Sequence, residues 1–281
     1  MTEPNSEHMD SVAARVQAVD AFADMAGRLL IVGELEWRKV AEDYRLLAIN
    51  VALRRQLESI NAAVVLARQD LGHLAVSFIR PSLEDVIYLK FFAGLSLEES
   101  QELFITLGSW DKFRSLLAQR AFIGDEEMAR LWYPKAFLEW AEKGKGDVRK
   151  SLRRLKVQYG WAGDTPSGAW IADQADERVL YDYLFAASSR AIHFSAGEIL
   201  RRGWGAPDGI LVTDKPEFRG HLSAFALDQL VRLYLKTMSV TMPLIEGTGL
   251  GTEEGGPNRD DCGHPVISMS FGYTATHQPY F

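Results

Sequence analysis

Arg80, Glu84 and His193 are the side chains of this sequence whose types and spacing could do chemistry. Arg80 and Glu84 stand four apart in HLAVSFIRPSLEDVIYLKFF, residues 73–92, a run that is otherwise mostly apolar. One helical turn separates them, which permits an ion pair. In so apolar a helix the pair must be buried or line a cavity, and a buried charge needs a partner and hydrogen bonds. His193 sits in YDYLFAASSRAIHFSAGEILRR, residues 181–202. At about 100° per residue its face carries Asp182, Ala186, Ser189, Ala196, Gly197 and Leu200. Leu184, Ser188, Ser195, Glu198 and Arg202 fall on the opposite face. Small residues let a second helix approach, so the pattern predicts a seam at His193 with residues 73–92 as the partner.

Two chemistries follow from such a trio. In one, Arg80 and Glu84 hold each other and cap a neighbour's carbonyls, and the site is structural. In the other, the three line a cleft with an anion-binding arginine and a general acid–base pair. The structural reading ranks first. Ser189 and His193 also have nucleophile–base spacing, but a mid-helix serine lacks the strained turn that builds an oxyanion hole. The better role for Ser189 is a hydrogen bond that orients the His193 ring, or one back to the helix backbone.

Metal chemistry has little support. No helix carries His-x-x-x-His, Glu-x-x-His or a clustered acidic set, and Asp260, Asp261, Cys262 and His264 lie in a glycine-rich stretch. No metal and no cofactor is expected. Two Arg-x-x-x-x-His spacings occur, Arg68 to His73 and Arg259 to His264, where chance supplies about one; Gly72 breaks the first and the second lies in the tail, so both read as noise.

The elements that must position these groups are helical. The chain has 281 residues, 47% hydrophobic and 25% charged, an ordinary globular composition. Residues 9–33 read as an amphipathic helix ending near Gly33. A long helix over about 35–70 carries Leu46, Ile49, Leu53, Leu57, Ile60 and Val64 as one apolar stripe. Residues 71–93 are apolar nearly all round, the mark of a central helix. Pro81 within them predicts a kink, or a new start with Ser82 as N-cap. Gly94 ends that element, and Ser96 to Glu99 is a capping box for the next. Helices at 109–122, closed by Gly124, and at 125–143 follow. Residues 158–168 form a loop, 178–202 the histidine helix, and 218–245 a closing helix. Between the last two, a short hairpin is indicated around Ile210–Val212.

The expected fold is therefore all-α: a single bundle-like domain of about eight helices with a non-helical C-terminal tail. Its parts would be a helical domain over 1–246, with an N-terminal hairpin at 9–70, a core at 71–202 and the closing helix, followed by the tail at 247–281. Because that tail lacks apolar periodicity, its removal is expected to leave the rest folded.

Charge and targeting features narrow the partners. The net charge of -7 gives no general attraction to nucleic acid or anionic lipid. The one dense basic run, KGKGDVRKSLRRLKV at 143–157, could reach phosphates through Lys150, Arg153 and Arg154, but a solvated helix face is the favoured reading. No apolar stretch is long enough to span a bilayer. The polar, acidic start does not read as a secretory signal. With a single cysteine, a cytoplasmic location is the simplest expectation. A homo-oligomer stays among the options.

Three pieces resemble a bacterial family catalogued as domain of unknown function 5677. They are Arg80-Pro81-Ser82-Leu83-Glu84 followed by an apolar helix, the loop with Trp161 before a short helix at 169–174, and Tyr183, Ser189 and His193 in order. The likeness covers about 71–202. It implies an all-α protein in which arginine, glutamate and histidine lie near one another, with Tyr183 and Ser189 in support. That family brings no established reaction. Its helical form is similar to nucleotide-binding helical domains of bacterial defence and toxin systems, many of which cut RNA through Arg-x-x-x-x-His. Here Arg190 is three residues before His193, so the motif is absent at the expected helix. The expectation is a structural or interaction module. The alternative is a hydrolase of RNA or a nucleotide using Arg80, Glu84 and His193.

Overall fold

The middle helix is apolar over most of its surface, and the rest of the chain closes around it. In the computed structural model, which describes residues 6–29, 43–130, 133–192, 203–205, 211–213 and 216–247, this is α3. In chain order the helices are α1 (Ser6–Leu29), α2 (Tyr44–Arg68), α3 (Ile79–Ala93), α4 (Leu97–Arg130), α5 (Lys135–Tyr159), α6 (Gly168–Gln174), α7 (Arg178–Ile192) and α8 (Pro216–Gly247). A 3-10 segment, Gly72–Phe78, leads into α3. Among the described residues the fold is all-α apart from one small antiparallel ribbon, β1 (Gly203–Gly205) with β2 (Leu211–Thr213), near where a hairpin was expected.

Ile79, Leu83, Val86 and Ile87 of α3 are fully buried. α8 lies along α3, the 3-10 segment and α2, and α1 packs on α2 and α8. α6 and α7 also pack on α3. The stripe on α2 is buried as its spacing predicts, at Leu46, Ile49, Leu53, Ile60 and Val64. Gln56 joins it inside. Its Nε2 donates to Thr237 Oγ1 of α8 at 2.9 Å and to the Ser82 carbonyl of α3 at 3.2 Å. One amide thus ties three helices and meets the rule that buried donors be bonded.

Several boundaries differ from expectation, each for a local reason. α2 begins at Tyr44 because Asp43 caps it, its Oδ1 accepting from the Arg45 amide at 2.9 Å. Pro81 neither kinks nor starts a helix. It falls in the first turn of α3, where its missing N–H would have no partner in any case. Ser82 is therefore not a cap, and its hydroxyl donates back to the Phe78 carbonyl at 2.9 Å. The capping box at Ser96 forms with both bonds, the Glu99 amide donating to Ser96 Oγ at 3.2 Å and the Ser96 amide to Glu99 Oε2 at 3.1 Å. Ser109 starts nothing, since α4 runs straight through it with Leu103, Thr106, Trp110 and Phe113 holding one buried face. The break comes at Gly124, whose φ of 81° suits glycine. The segment after it ends at Arg130, and Pro134 begins α5, so no single helix spans 125–143. Residues 193–202 and the tail from 248 onward lie outside the described residues.

α4 and α5 form a long antiparallel hairpin. Its base, through Leu103, Leu152 and Leu155, belongs to the main core. Its far half has a small core of its own: Phe113, Leu116, Met128, Leu138 and Ala141.

Candidate functional site

α3 places Arg80 and Glu84 one turn apart, and they meet as the spacing predicts. Arg80 Nε donates to Glu84 Oε1 at 3.1 Å. They are not buried, however. The two side chains are 30% and 40% exposed, so of the two places expected for the pair, burial or a cavity wall, burial does not hold. Polar groups at the rim of an apolar helix keep their hydration while their stems pack, which costs far less than full burial.

α7 does cover Arg80, but with a different face from the one expected. The guanidinium carbon lies 4.6 Å from the centre of the Phe185 ring, a cation–π contact. Tyr181 stacks on Phe185, and Tyr181, Leu184 and Ser188 are buried on α7. Asp182 and Ala186, on the side expected to form the seam, are exposed. Burying a tyrosine, a leucine and most of a phenylalanine removes more apolar area from water than burying alanines, so the larger side chains take the inside. Ser188, not Ser189, bonds back to the helix, donating to the Leu184 carbonyl at 2.7 Å. The Ser189 hydroxyl is buried and finds no partner among the described residues. Tyr183 is 56% exposed, its ring edge-on to Phe225 of α8. His193 lies outside the described residues. The structure thus brings Arg80 and Glu84 together and sets Phe185 and Tyr181 of α7 beside them.

Glu84 also borders a groove that runs between α2, α3 and α4. It encloses about 430 Å³, with Leu47, Val51 and Arg55 from α2, Glu84, Tyr88 and Phe92 from α3, and Phe104 and Asp111 from α4. A second hollow of about 280 Å³ continues it past Trp110 to Thr165 and Pro166, sharing Tyr88, Phe92, Phe104 and Asp111. Its walls are aromatic and aliphatic, and its ionisable groups are mostly acids. Arg55 pairs with Asp85, whose carboxyl burial lifts above the ordinary value while the Arg55 hydrogen bond and charge pull it back. The Tyr88 phenol is pushed up to about 12, first by burial and then by the negative charges of Glu84 and Asp111. Carboxylates from two helices therefore act on one hydroxyl in the groove wall.

Sequence reasoning missed Arg55, Asp85, Tyr88 and Asp111. Arg55 and Asp85 are 30 residues apart, and only helix packing joins them. Asp85 carried a signal nonetheless, as a charge inside an apolar helix that must find a partner.

Behind the groove lies a third ionic centre. Glu177, between α6 and α7, is only 8% exposed and accepts from Lys90 Nζ of α3 at 2.6 Å and Lys236 Nζ of α8 at 2.8 Å. Burial acts to raise its pKa, but the bonds and charges of Lys236 and Lys90 outweigh that and hold it below the ordinary glutamate value.

The basic run on α5 is engaged with acids. Lys150 reaches Asp147 at 3.0 Å, Arg154 pairs with Glu102 of α4, and Arg153 is exposed. Among the described residues no three His, Cys, Asp or Glu side chains form a metal-holding group, and no helix is long and apolar enough to cross a membrane. Comparison with known proteins found no match to a protein-family model, to a curated protein or to a solved structure.

Proposed function

We propose that this chain is an interaction module whose groove between α2, α3 and α4 takes a cationic, amphipathic segment of a partner protein. One observation carries the reading: Glu84 and Asp111, from different helices, both impose their charge on Tyr88 in a wall whose apolar part includes Val51, Phe92, Phe104 and Trp110. Apolar walls give such a segment area to bury. The acids select lysine or arginine beside its apolar residues, and the Tyr88 face adds cation–π attraction.

The alternative, a hydrolase of RNA or a nucleotide through Arg80, Glu84 and His193, meets a physical obstacle. Acids along the groove repel a phosphate backbone, and Arg80 already bonds Glu84.

Selection from a displayed peptide library by the full chain checks the proposal. Peptides that alternate lysine or arginine with bulky apolar residues are expected. Val51→Lys, which places a repelling charge on an exposed apolar wall, and Asp111→Lys should each weaken the selected peptide about tenfold or more at unchanged melting temperature. Enrichment of acidic peptides, or affinity indifferent to both substitutions, would overturn the assignment. RNA hydrolysis lost in His193→Gln at intact fold would establish the alternative instead.

A further inference from the structure

The far half of the α4–α5 hairpin carries a row of aromatic rings along one edge. Tyr133 stacks on Phe137 at 5.7 Å between centroids, Phe137 lies 5.4 Å from Trp140, and Trp140 lies edge-on to Phe113 at 5.4 Å. Phe113 is buried, seated against the backbone of Gly144, but Trp140 is 52% exposed and Phe137 and Tyr133 are half-buried. The row is therefore a strip with one side in the small core and the other facing water. Exposed aromatic area of this kind, rimmed by polar residues, marks an interaction surface.

The charges around it say what kind of partner fits. Residues 111–143 contain six acids and six bases, so the far half of the hairpin is neutral while the chain as a whole carries -7. Many of these charges are matched locally: Arg120 bonds Asp125 at 2.6 Å and Glu142 at 2.9 Å, and Arg130 bonds Glu127 at 3.0 Å. A surface with no excess of either sign does not favour a strongly basic or acidic partner. It does favour its own copy, since a two-fold contact sets the same patch against itself and needs both signs present. All the net charge lies outside residues 111–143. At about 1.5 Å per residue, the tip stands roughly 20–30 Å beyond Trp110. Two chains joined at their tips keep their acidic bodies several screening lengths apart at physiological salt.

We propose that this chain forms a two-fold dimer through the Tyr133–Phe137–Trp140 strip, hairpin against hairpin. The dimer leaves the groove between α2, α3 and α4 open in each copy, and it does not depend on what that groove binds.

Sedimentation velocity on the full chain at about 1 to 100 µM, the range in which a modest interface dissociates, should show a concentration-dependent dimer. Trp140→Ser should sediment as a monomer with its helical circular dichroism kept. Because Trp140 also touches Phe113, a second variant is needed that leaves packing alone. Lys135→Glu alters an exposed side chain beside the strip and turns the balance of six acids and six bases into seven and five, so that the two copies repel, and it should weaken the dimer about tenfold. Phe122→Ser, roughly half a helical turn round α4 from Phe113, should leave the dimer unchanged. A wild-type chain that is monomeric throughout the range would overturn the proposal, and so would a dimer that survives both Trp140→Ser and Lys135→Glu or one that Phe122→Ser dissolves.

Discussion

Two ion pairs on α3 show how position decides what a charge does. Arg80–Glu84 lies at the rim, where water screens it. Removing Glu84 should cost less than about 1 kcal/mol, the usual range for exposed pairs. Glu177 is nearly sealed between Lys90 and Lys236. Replacing it by alanine leaves two lysines facing each other without a counter-charge. Their ends reach water in part, so the expected cost is about 2–3 kcal/mol rather than the 3–5 of a fully sealed pair. Calorimetric melting of Glu84→Ala beside Glu177→Ala checks the contrast, and equal losses would show that burial is not the controlling variable. The sign of the pH dependence follows from the lowered pKa of Glu177. Its stabilisation is present in full above the ordinary glutamate pKa and is lost as pH falls through the lower folded value. Glu177→Gln should flatten that part of the acid limb.

At the scale of elements, the hairpin depends on one close approach. A Cβ added at Gly144 would stand 2.6 Å from Phe113 Cζ, with more of the ring at 2.9 Å. Glycine is otherwise unfavourable within a helix such as α5, so its use here has a packing reason. Gly144→Val must push the Phe113 ring aside, and through it Trp140. An overpacking loss of about 1–3 kcal/mol is expected. If the melting temperature instead rises, as helix propensity alone would predict, the contact is looser than its geometry implies. Phe113→Leu in the same background should recover part of the loss by opening space.

For the molecule as a whole, the two separate cores imply two levels of stability. α3 and α8 share the large core, while the hairpin tip rests on five buried residues of its own. Segments with few buried apolar partners open first. Native-state hydrogen exchange should find the slowest amides in α3 and in α8 around Leu227 and Leu230. Faster exchange is expected between Phe113 and Ala141, though still slower than in the 160–167 loop. Uniform protection across both regions would mean that the cores unfold as one.

Periodicity along the chain was enough to establish an all-α fold, the buried stripe of α2, the central place of α3, the capping box at Ser96 and the loop after Tyr159. Each rests on neighbours three or four residues apart, and such neighbours are visible in a linear chain. The Arg80–Glu84 contact was legible for the same reason. Its exposure was not, because burial depends on what the other helices cover. The inward face of α7 was misread on the same ground: small residues allow a close approach, but the larger gain came from burying Tyr181, Leu184 and much of Phe185. Pro81 could be read as a kink until the preceding 3-10 segment put it in a first turn, where its lost N–H costs nothing. Arg55 with Asp85, Glu177 with Lys90 and Lys236, and Glu84 with Asp111 around Tyr88 are matters of tertiary structure alone. Their partners come from different helices, and no spacing within one helix encodes how two helices meet.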